Sequence, residues 1–196
     1  MSRAFLSLLI FILITCRTLW SELTALALLT AASISDYYDG AIARRTKTTT
    51  PFGAIADPFA DKLLVMAVFL AFASIRELTV PLWAVFLILL RELTISNLRV
   101  LAALRGEVMK AERAGKFKTA TQLTSSFAIL LLLIAKVWSE KFVPPAALLA
   151  LAAERAGQFA YWLTVCTALV TVISGATYLH NHRDLLRKSW NNKENG

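Results

Sequence analysis

Residues 23–75 read LTALALLTAASISDYYDGAIARRTKTTTPFGAIADPFADKLLVMAVFLAFASI. Two apolar runs, Leu23 to Ala43 and Ile55 to Ile75, flank a short polar link, and the charges of the stretch gather around that link. Each run is close to the roughly 20 residues that an α-helix needs to cross a hydrocarbon core. Neither alternates with the period of two that a barrel strand requires, and a spanning backbone must satisfy its own hydrogen bonds, so both read as helices. Working outward, further runs lie at Ala4 to Cys16, Leu78 to Leu104, Thr119 to Val137 and Gln158 to Leu179. With 57% hydrophobic and 17% charged residues over 196 positions, the chain is too apolar for a water-soluble domain. The expectation is an all-α integral membrane protein of six transmembrane helices, one domain over residues 1–182 with a basic tail at 183–196.

The formal net charge of +8 would suit a nucleic-acid partner in a soluble protein. Here the basic residues divide by side instead. Arg3, the Arg44/Arg45/Lys47 cluster, the stretch from Arg105 to Lys118 and the tail from Arg183 to Lys193 fall on one side of six alternating spans. Only Arg17, Arg76, Lys136, Lys141 and Arg155 fall on the other. That asymmetry predicts a multi-pass protein of the cytoplasmic membrane with both termini cytoplasmic. Nucleic acid is set aside because the aromatics lie within apolar runs rather than between lysines and arginines. Trp20, Trp83, Trp138 and Trp162 fall near predicted helix ends, where indole rings anchor to the interface. Cys16 and Cys166 lack any CxxC spacing and read as small apolar fillers. Met1 to Cys16 also loosely resembles a lipoprotein signal peptide, whose cleavage would leave the direction of the later helices unchanged. The apolar patch from Ala146 to Ala153 is too short to span and is expected at the outer interface.

Four of the five aspartates, Asp36, Asp39, Asp57 and Asp61, lie within one 26-residue stretch. If the second helix continues through Asp39, then Asp36 and Asp39 share a face at i and i+3, as do Asp57 and Asp61 at i and i+4. Two antiparallel helices with a short link can then aim four carboxylates at one point. Such charges near hydrocarbon need compensation, and an all-oxygen donor set favours a hard divalent ion, Mg²⁺ or Mn²⁺. Four carboxylates suit two ions, the arrangement that stabilises attacking and leaving oxygens in transfer at phosphorus. Gly40 and Gly53 would let a nucleotide phosphate approach the backbone, and Arg44 could fork onto it. Two blander readings compete: acids that merely complement helix ends, and an ion or proton pathway. The second gives no reason for Gly40, Arg44 and Gly53 at these spacings.

Asp36 to Asp61 matches, at eight fixed positions, the pattern D-x2-D-G-x2-A-R-x8-G-x3-D-x3-D, and so resembles the CDP-alcohol phosphotransferase family. The resemblance implies six membrane helices, usually as a homodimer, with a site open to the cytoplasmic leaflet. It implies attack of an alcohol on a CDP-linked phosphate with release of CMP. It assigns Asp36, Asp39 and Asp57 to two metal ions, and Asp61 both to a metal and to the role of catalytic base. Asp39, Gly40, Arg44 and Gly53 would sit against the CDP moiety.

The second half of the chain bears on the acceptor. Arg91-Glu92 interrupts an apolar run, and Arg99 lies about two turns further along it. Lys116 and Lys118 open the next run. Together Arg91, Arg99, Lys116 and Lys118 could form a basic pocket for a second phosphate, although Arg91 could instead pair structurally with a carboxylate. The patterns R-E-x3-S-x-L-R and G-K-x-K-T-x2-Q resemble the phosphatidylglycerophosphate synthase branch of the family. That implies CDP-diacylglycerol as donor and sn-glycerol 3-phosphate as acceptor. Another acceptor, such as phosphatidylglycerol, inositol phosphate or serine, and a non-enzymatic ion carrier stay open.

Overall fold

The computed structural model describes residues 2–46, 51–104, 113–141 and 155–183, and gives the backbone path alone over 36–46, 51–61 and a few residues at helix ends. These residues form six α-helices: α1 Ser2–Thr15, α2 Leu19–Thr46, α3 Pro51–Ser74, α4 Leu82–Leu104, α5 Arg113–Lys141 and α6 Ala156–Asn181. A single 3₁₀ turn, Arg76–Leu78, lies between α3 and α4, and no strand occurs among the described residues. The all-α expectation holds, and each of the six apolar runs falls on one helix. Two segments, Gly115–Ser139 and Ala156–Asn181, are long and apolar enough to cross a membrane. Ala4–Thr15, Leu19–Ser35 and Lys62–Ser74 form shorter apolar stretches, while α4 carries Arg91, Glu92 and Arg99 within its run. The patch from 146 to 153 and the tail beyond 183 lie outside the described residues.

Local chemistry sets the helix ends. Thr18 and Ser21 bond reciprocally, each backbone N–H donating to the other's hydroxyl at 3.2 Å, which satisfies free donors at the start of α2. The run that begins at Leu78 in the sequence becomes α-helix only at Leu82. Thr79 takes the left-handed region at φ 48° and closes the 3₁₀ turn, its N–H donating to the Arg76 carbonyl. Pro81, which has no N–H to offer, instead supplies the carbonyl that accepts from Ala84 and Val85 at 3.0 and 3.3 Å.

Helix α1 packs on α3, and α6 on α4 and α5, while α2 with α5 and α3 with α4 join the two halves. Ile10, Ile14, Leu29, Phe69, Phe72 and Leu130 are buried in one continuous apolar core. Phe69 and Phe72 meet edge to face with centroids 6.3 Å apart. The outer faces are equally apolar: Phe5, Leu8 and Ile12 on α1, Phe86 and Leu90 on α4, and Leu169 and Ile173 on α6 are all exposed. Continuous exposed apolar faces of this kind mark a surface covered by something other than water. Helix α6 differs on its inner side, where Thr164, Thr167, Thr171 and Ser174 are buried. These small hydroxylated residues allow close helix approach; Ser125 and Thr167 bond across α5 and α6 at 2.7 Å.

One end of the bundle is fastened by ion pairs. Glu77 of the 3₁₀ turn accepts from Arg17 at 2.9 Å and from Lys136 at 3.1 Å, and Arg17 lies 3.7 Å from the fully buried Glu22. The bonded Lys136 ammonium holds the Glu77 carboxyl below its ordinary pKa, with Arg17 acting the same way against the opposing effect of partial burial. Thr79 donates to the Gly157 carbonyl at 2.8 Å, which brings the start of α6 to the same end. Arg17, Arg76, Lys136 and Arg155, four of the five basic residues that the sequence assigns to one side, thus lie at or beside this end, as do the exposed Trp20, Trp83, Trp138 and Trp162. An open polar cavity of about 600 Å³ lies here, between Glu77, Lys136, Arg155 and Gln158.

Candidate functional site

Helix α2 runs without a break through Asp36, Asp39, Gly40 and Arg44 to Thr46, so the condition for placing Asp36 and Asp39 on one face is met. Gly53, Asp57 and Asp61 lie in the first three turns of α3. The four aspartates therefore occupy the end of one helix and the beginning of the next, on the far side of the bundle from the Glu77 ion pairs. At about 1.5 Å per residue the 28 residues of α2 extend about 42 Å, beyond the roughly 30 Å of a hydrocarbon core. The helix is thus long enough to cross and still carry its acidic end into the interface. The side chains of Asp36, Asp39, Gly40, Arg44, Gly53, Asp57 and Asp61 lie outside the described residues, as does the link 47–50. Among the described residues no group of three or more acidic, histidine or cysteine side chains gathers as a metal site.

The basic residues are described in full. Glu92, 2% exposed, lies at their centre. Its Oε1 accepts from the Lys118 ammonium and from Gln122 Nε2 at 3.1 Å, and lies 3.5 Å from an Arg91 terminal nitrogen. Burial of these charges is tolerable because they are mutually paired and bonded; a lone one would be costly. Gln122 also donates to Thr171 at 3.2 Å, so a single amide ties α4, α5 and α6 together. Arg91 donates from its other terminal nitrogen to Ser174 at 3.2 Å. It can lie there because residue 175 is glycine: a Cβ at that position would stand 2.8 Å from Arg91 Cγ. Two turns further along α4, Arg99 donates from Nε to the Tyr178 hydroxyl at 3.0 Å and lies over its ring at 5.0 Å. His182 stacks on the same tyrosine, its ring centroid 4.3 Å from that of Tyr178.

Three of the four residues expected to form a basic pocket are thus organised by one buried face shared between α4, α5 and α6. Lys116 is not joined to them: two positions before Lys118 on the same helix, it lies on the exposed side, since two residues turn an α-helix by about 200°. The acidic and basic elements meet at Lys62, which follows Asp61 and whose ammonium lies 3.5 Å from the Glu92 carbonyl oxygen. Sequence reasoning named the Arg91-Glu92 pair but gave Glu92 no role, and missed Gln122, Gly175 and Tyr178 as its neighbours. The available signal was the spacing of Thr164, Thr167, Thr171, Ser174 and Tyr178, which marks a polar inner face on an otherwise apolar helix.

Residues 1–144 match the family model described as CDP-alcohol phosphatidyltransferase. Among curated proteins, the chain is 38% identical over 111 residues to the CDP-diacylglycerol–glycerol-3-phosphate 3-phosphatidyltransferase of Bacillus subtilis, covering 57% of this chain and 56% of the relative. It is 39% identical over 102 residues to a probable phosphatidylglycerophosphate synthase of Mycobacterium tuberculosis strain H37Rv, covering 52% and 47%. A cardiolipin synthase (CMP-forming) of Oryza sativa subsp. japonica is 37% identical over 126 residues, covering 57% and 37%. The chain spans about half the length of these relatives, or less.

Proposed function

This chain belongs to the CDP-alcohol phosphatidyltransferase family, and from that premise we propose that it transfers a phosphatidyl group from CDP-diacylglycerol to sn-glycerol 3-phosphate. The products are phosphatidylglycerophosphate and CMP. The reading places residues 1–182 as a catalytic domain of six transmembrane helices, a homodimer in the cytoplasmic membrane, with the site and both termini facing the cytoplasm. Its support is the approach of Lys62, next to Asp61, to the turn of α4 that carries Arg91 and Glu92. That contact supports a site in which a cluster of cations serves the four-aspartate motif, as transfer to an already phosphorylated alcohol requires.

The donor set of Asp36, Asp39, Asp57 and Asp61 is carboxylate oxygen throughout, which fits Mg²⁺ or Mn²⁺ and suits two ions. When bound, such ions neutralise charge on the transferring phosphate and on the leaving group. Asp39, Gly40, Arg44 and Gly53 hold the CDP moiety, the glycines by leaving the backbone open to it and Arg44 by forking onto a phosphate. Arg91, Arg99 and Lys118 attract and orient the acceptor phosphate, and Lys116, on the exposed side of α5, is left out of that set. Asp61 takes the proton of the acceptor's 1-hydroxyl, that oxygen forms a bond to the lipid-linked phosphorus, and the bond from this phosphorus to the CMP oxygen breaks. Positioning and charge neutralisation supply most of the acceleration.

The test is CMP release by purified protein with CDP-diacylglycerol and Mg²⁺ or Mn²⁺, comparing glycerol 3-phosphate with phosphatidylglycerol, inositol phosphate and serine. Phosphatidylglycerol earns its place because one relative is named a cardiolipin synthase. Release with glycerol 3-phosphate alone is expected, and Asp57→Asn abolishes it while the thermal unfolding transition is kept. Near-normal turnover by Asp57→Asn would remove the two-ion reading. Release with a different acceptor would remove the basic-pocket reading and leave the aspartates in place. Metal flux into liposomes without CMP would point to an ion carrier.

A further inference from the structure

Among the described residues of the basic cluster, Glu92 is the carboxylate that opposes an anion. Its side chain is almost fully buried, and three donors from Lys118, Gln122 and Arg91 converge on the same oxygen, Oε1. This is how an anionic oxygen of a bound phosphate is usually held, by cations and neutral donors together. Arg91 also keeps capacity in reserve, since its Nε is buried with no hydrogen-bond partner among the described residues. Lys118 and Arg91 each have about a tenth of the side chain exposed, so an incoming anion reaches them at their edge rather than from open solvent.

We infer that Glu92 is an internal counter-anion that occupies Lys118 and Arg91 before the acceptor arrives and competes with the acceptor's phosphate for them. This rests on the reading of Arg91, Arg99 and Lys118 as the acceptor-phosphate site. A phosphate monoester carries close to two negative charges at neutral pH, and a carboxylate a few ångströms away repels it. The same carboxylate keeps two buried cations paired in the empty protein. Glu92 thus trades acceptor affinity for an assembled pocket, and it favours acceptors charged enough to displace it. Removing the charge leaves two buried cations unpaired in the empty protein and removes their competitor in the phosphate-bound one, so it is expected to loosen the first and tighten the second.

Glu92→Gln keeps an oxygen that can accept from Lys118 while removing the charge. With the full chain in detergent, the expected result is a lower melting temperature without ligand and about tenfold tighter binding of inorganic phosphate, read from the ligand-dependent rise in melting temperature against chloride at equal ionic strength. Glycerol 3-phosphate forms the second arm and shows the same tightening together with a lower KM, which a purely structural role for Glu92 would not produce. If the wild type responds to both anions and Glu92→Gln binds them no more tightly, the counter-anion inference is overturned and Glu92 is a support. If neither anion affects the wild type, the acceptor-phosphate reading fails and takes the inference with it. Should Glu92→Gln fail to fold, Glu92→Asp withdraws the charge by one methylene and is expected to bind phosphate about threefold more tightly; unchanged or weaker binding overturns the inference.

Discussion

Gly175 shows how much of this site depends on a side chain that is missing. A methyl group there would stand 2.8 Å from Arg91 Cγ and 3.3 Å from its Nε, so the stem of a side chain, not backbone, is what must yield. Gly175→Ala is therefore expected to fold and to displace Arg91 from Ser174. In steady-state CMP release it raises KM for glycerol 3-phosphate about five- to tenfold and leaves kcat within about twofold, the pattern of lost ground-state binding. A KM equal to that of the wild type would show that Arg91 does not meet the acceptor. Relations of this kind were not legible in the sequence. Arg91 and Ser174 are 83 residues apart, and Arg99 and Tyr178 are 79 apart, so only the packing of α6 on α4 brings them together. The aspartates were legible because their mates lie three and four positions away, where helical periodicity alone puts them on one face.

At the scale of the element, the apolar runs located all six helices, since burial and lipid exposure both demand the same residue types. What they did not locate was the break at Leu78–Pro81: Leu78 and Val80 are as apolar as any helical residue, and both are buried. The left-handed Thr79 and the missing N–H of Pro81 decide the matter instead. This turn is also where α6 begins, with Gly157 pressed against it. A Cβ on residue 157 would meet the Glu77 carbonyl oxygen at 2.7 Å, and here the obstacle is backbone rather than a mobile side chain. Gly157→Ala is accordingly expected to destabilise the fold by about 1–3 kcal/mol, measured by denaturant titration in mixed micelles. Its remaining folded fraction should keep the wild-type KM, because the strain lies at the end away from the aspartates.

Over the whole molecule, the sequence sorted its charges by end, and the structure brings Arg17 and Lys136 of the sparser set onto Glu77, with Arg155 across the adjoining cavity. Because the folded pKa of Glu77 is depressed, its pairing with Lys136 and Arg17 contributes stability above the unfolded value of about 4.3 and loses it as pH falls through the folded value. Glu77→Gln should therefore melt below the wild type at neutral pH, and the gap should close in acid as pH falls below the ordinary carboxylate range. A gap independent of pH would show that shape, not charge, fastens this end. Glu22, fully buried at the same end, was not foreseen, because an acid in an apolar run looks alike in sequence whether its partner is near or absent. The Glu92 cluster carries a further consequence, for biosynthesis. Its carboxylate and the Lys118 ammonium are separated by 26 residues, so α4 is complete in the nascent chain before the cation from α5 exists. A lone glutamate at depth resists partition into lipid; beside Arg91 it is compensated only in part. On the six-span reading, α4 and α5 are therefore expected to enter the bilayer together as a hairpin, and a ribosome stalled between them to leave α4 at the bilayer surface.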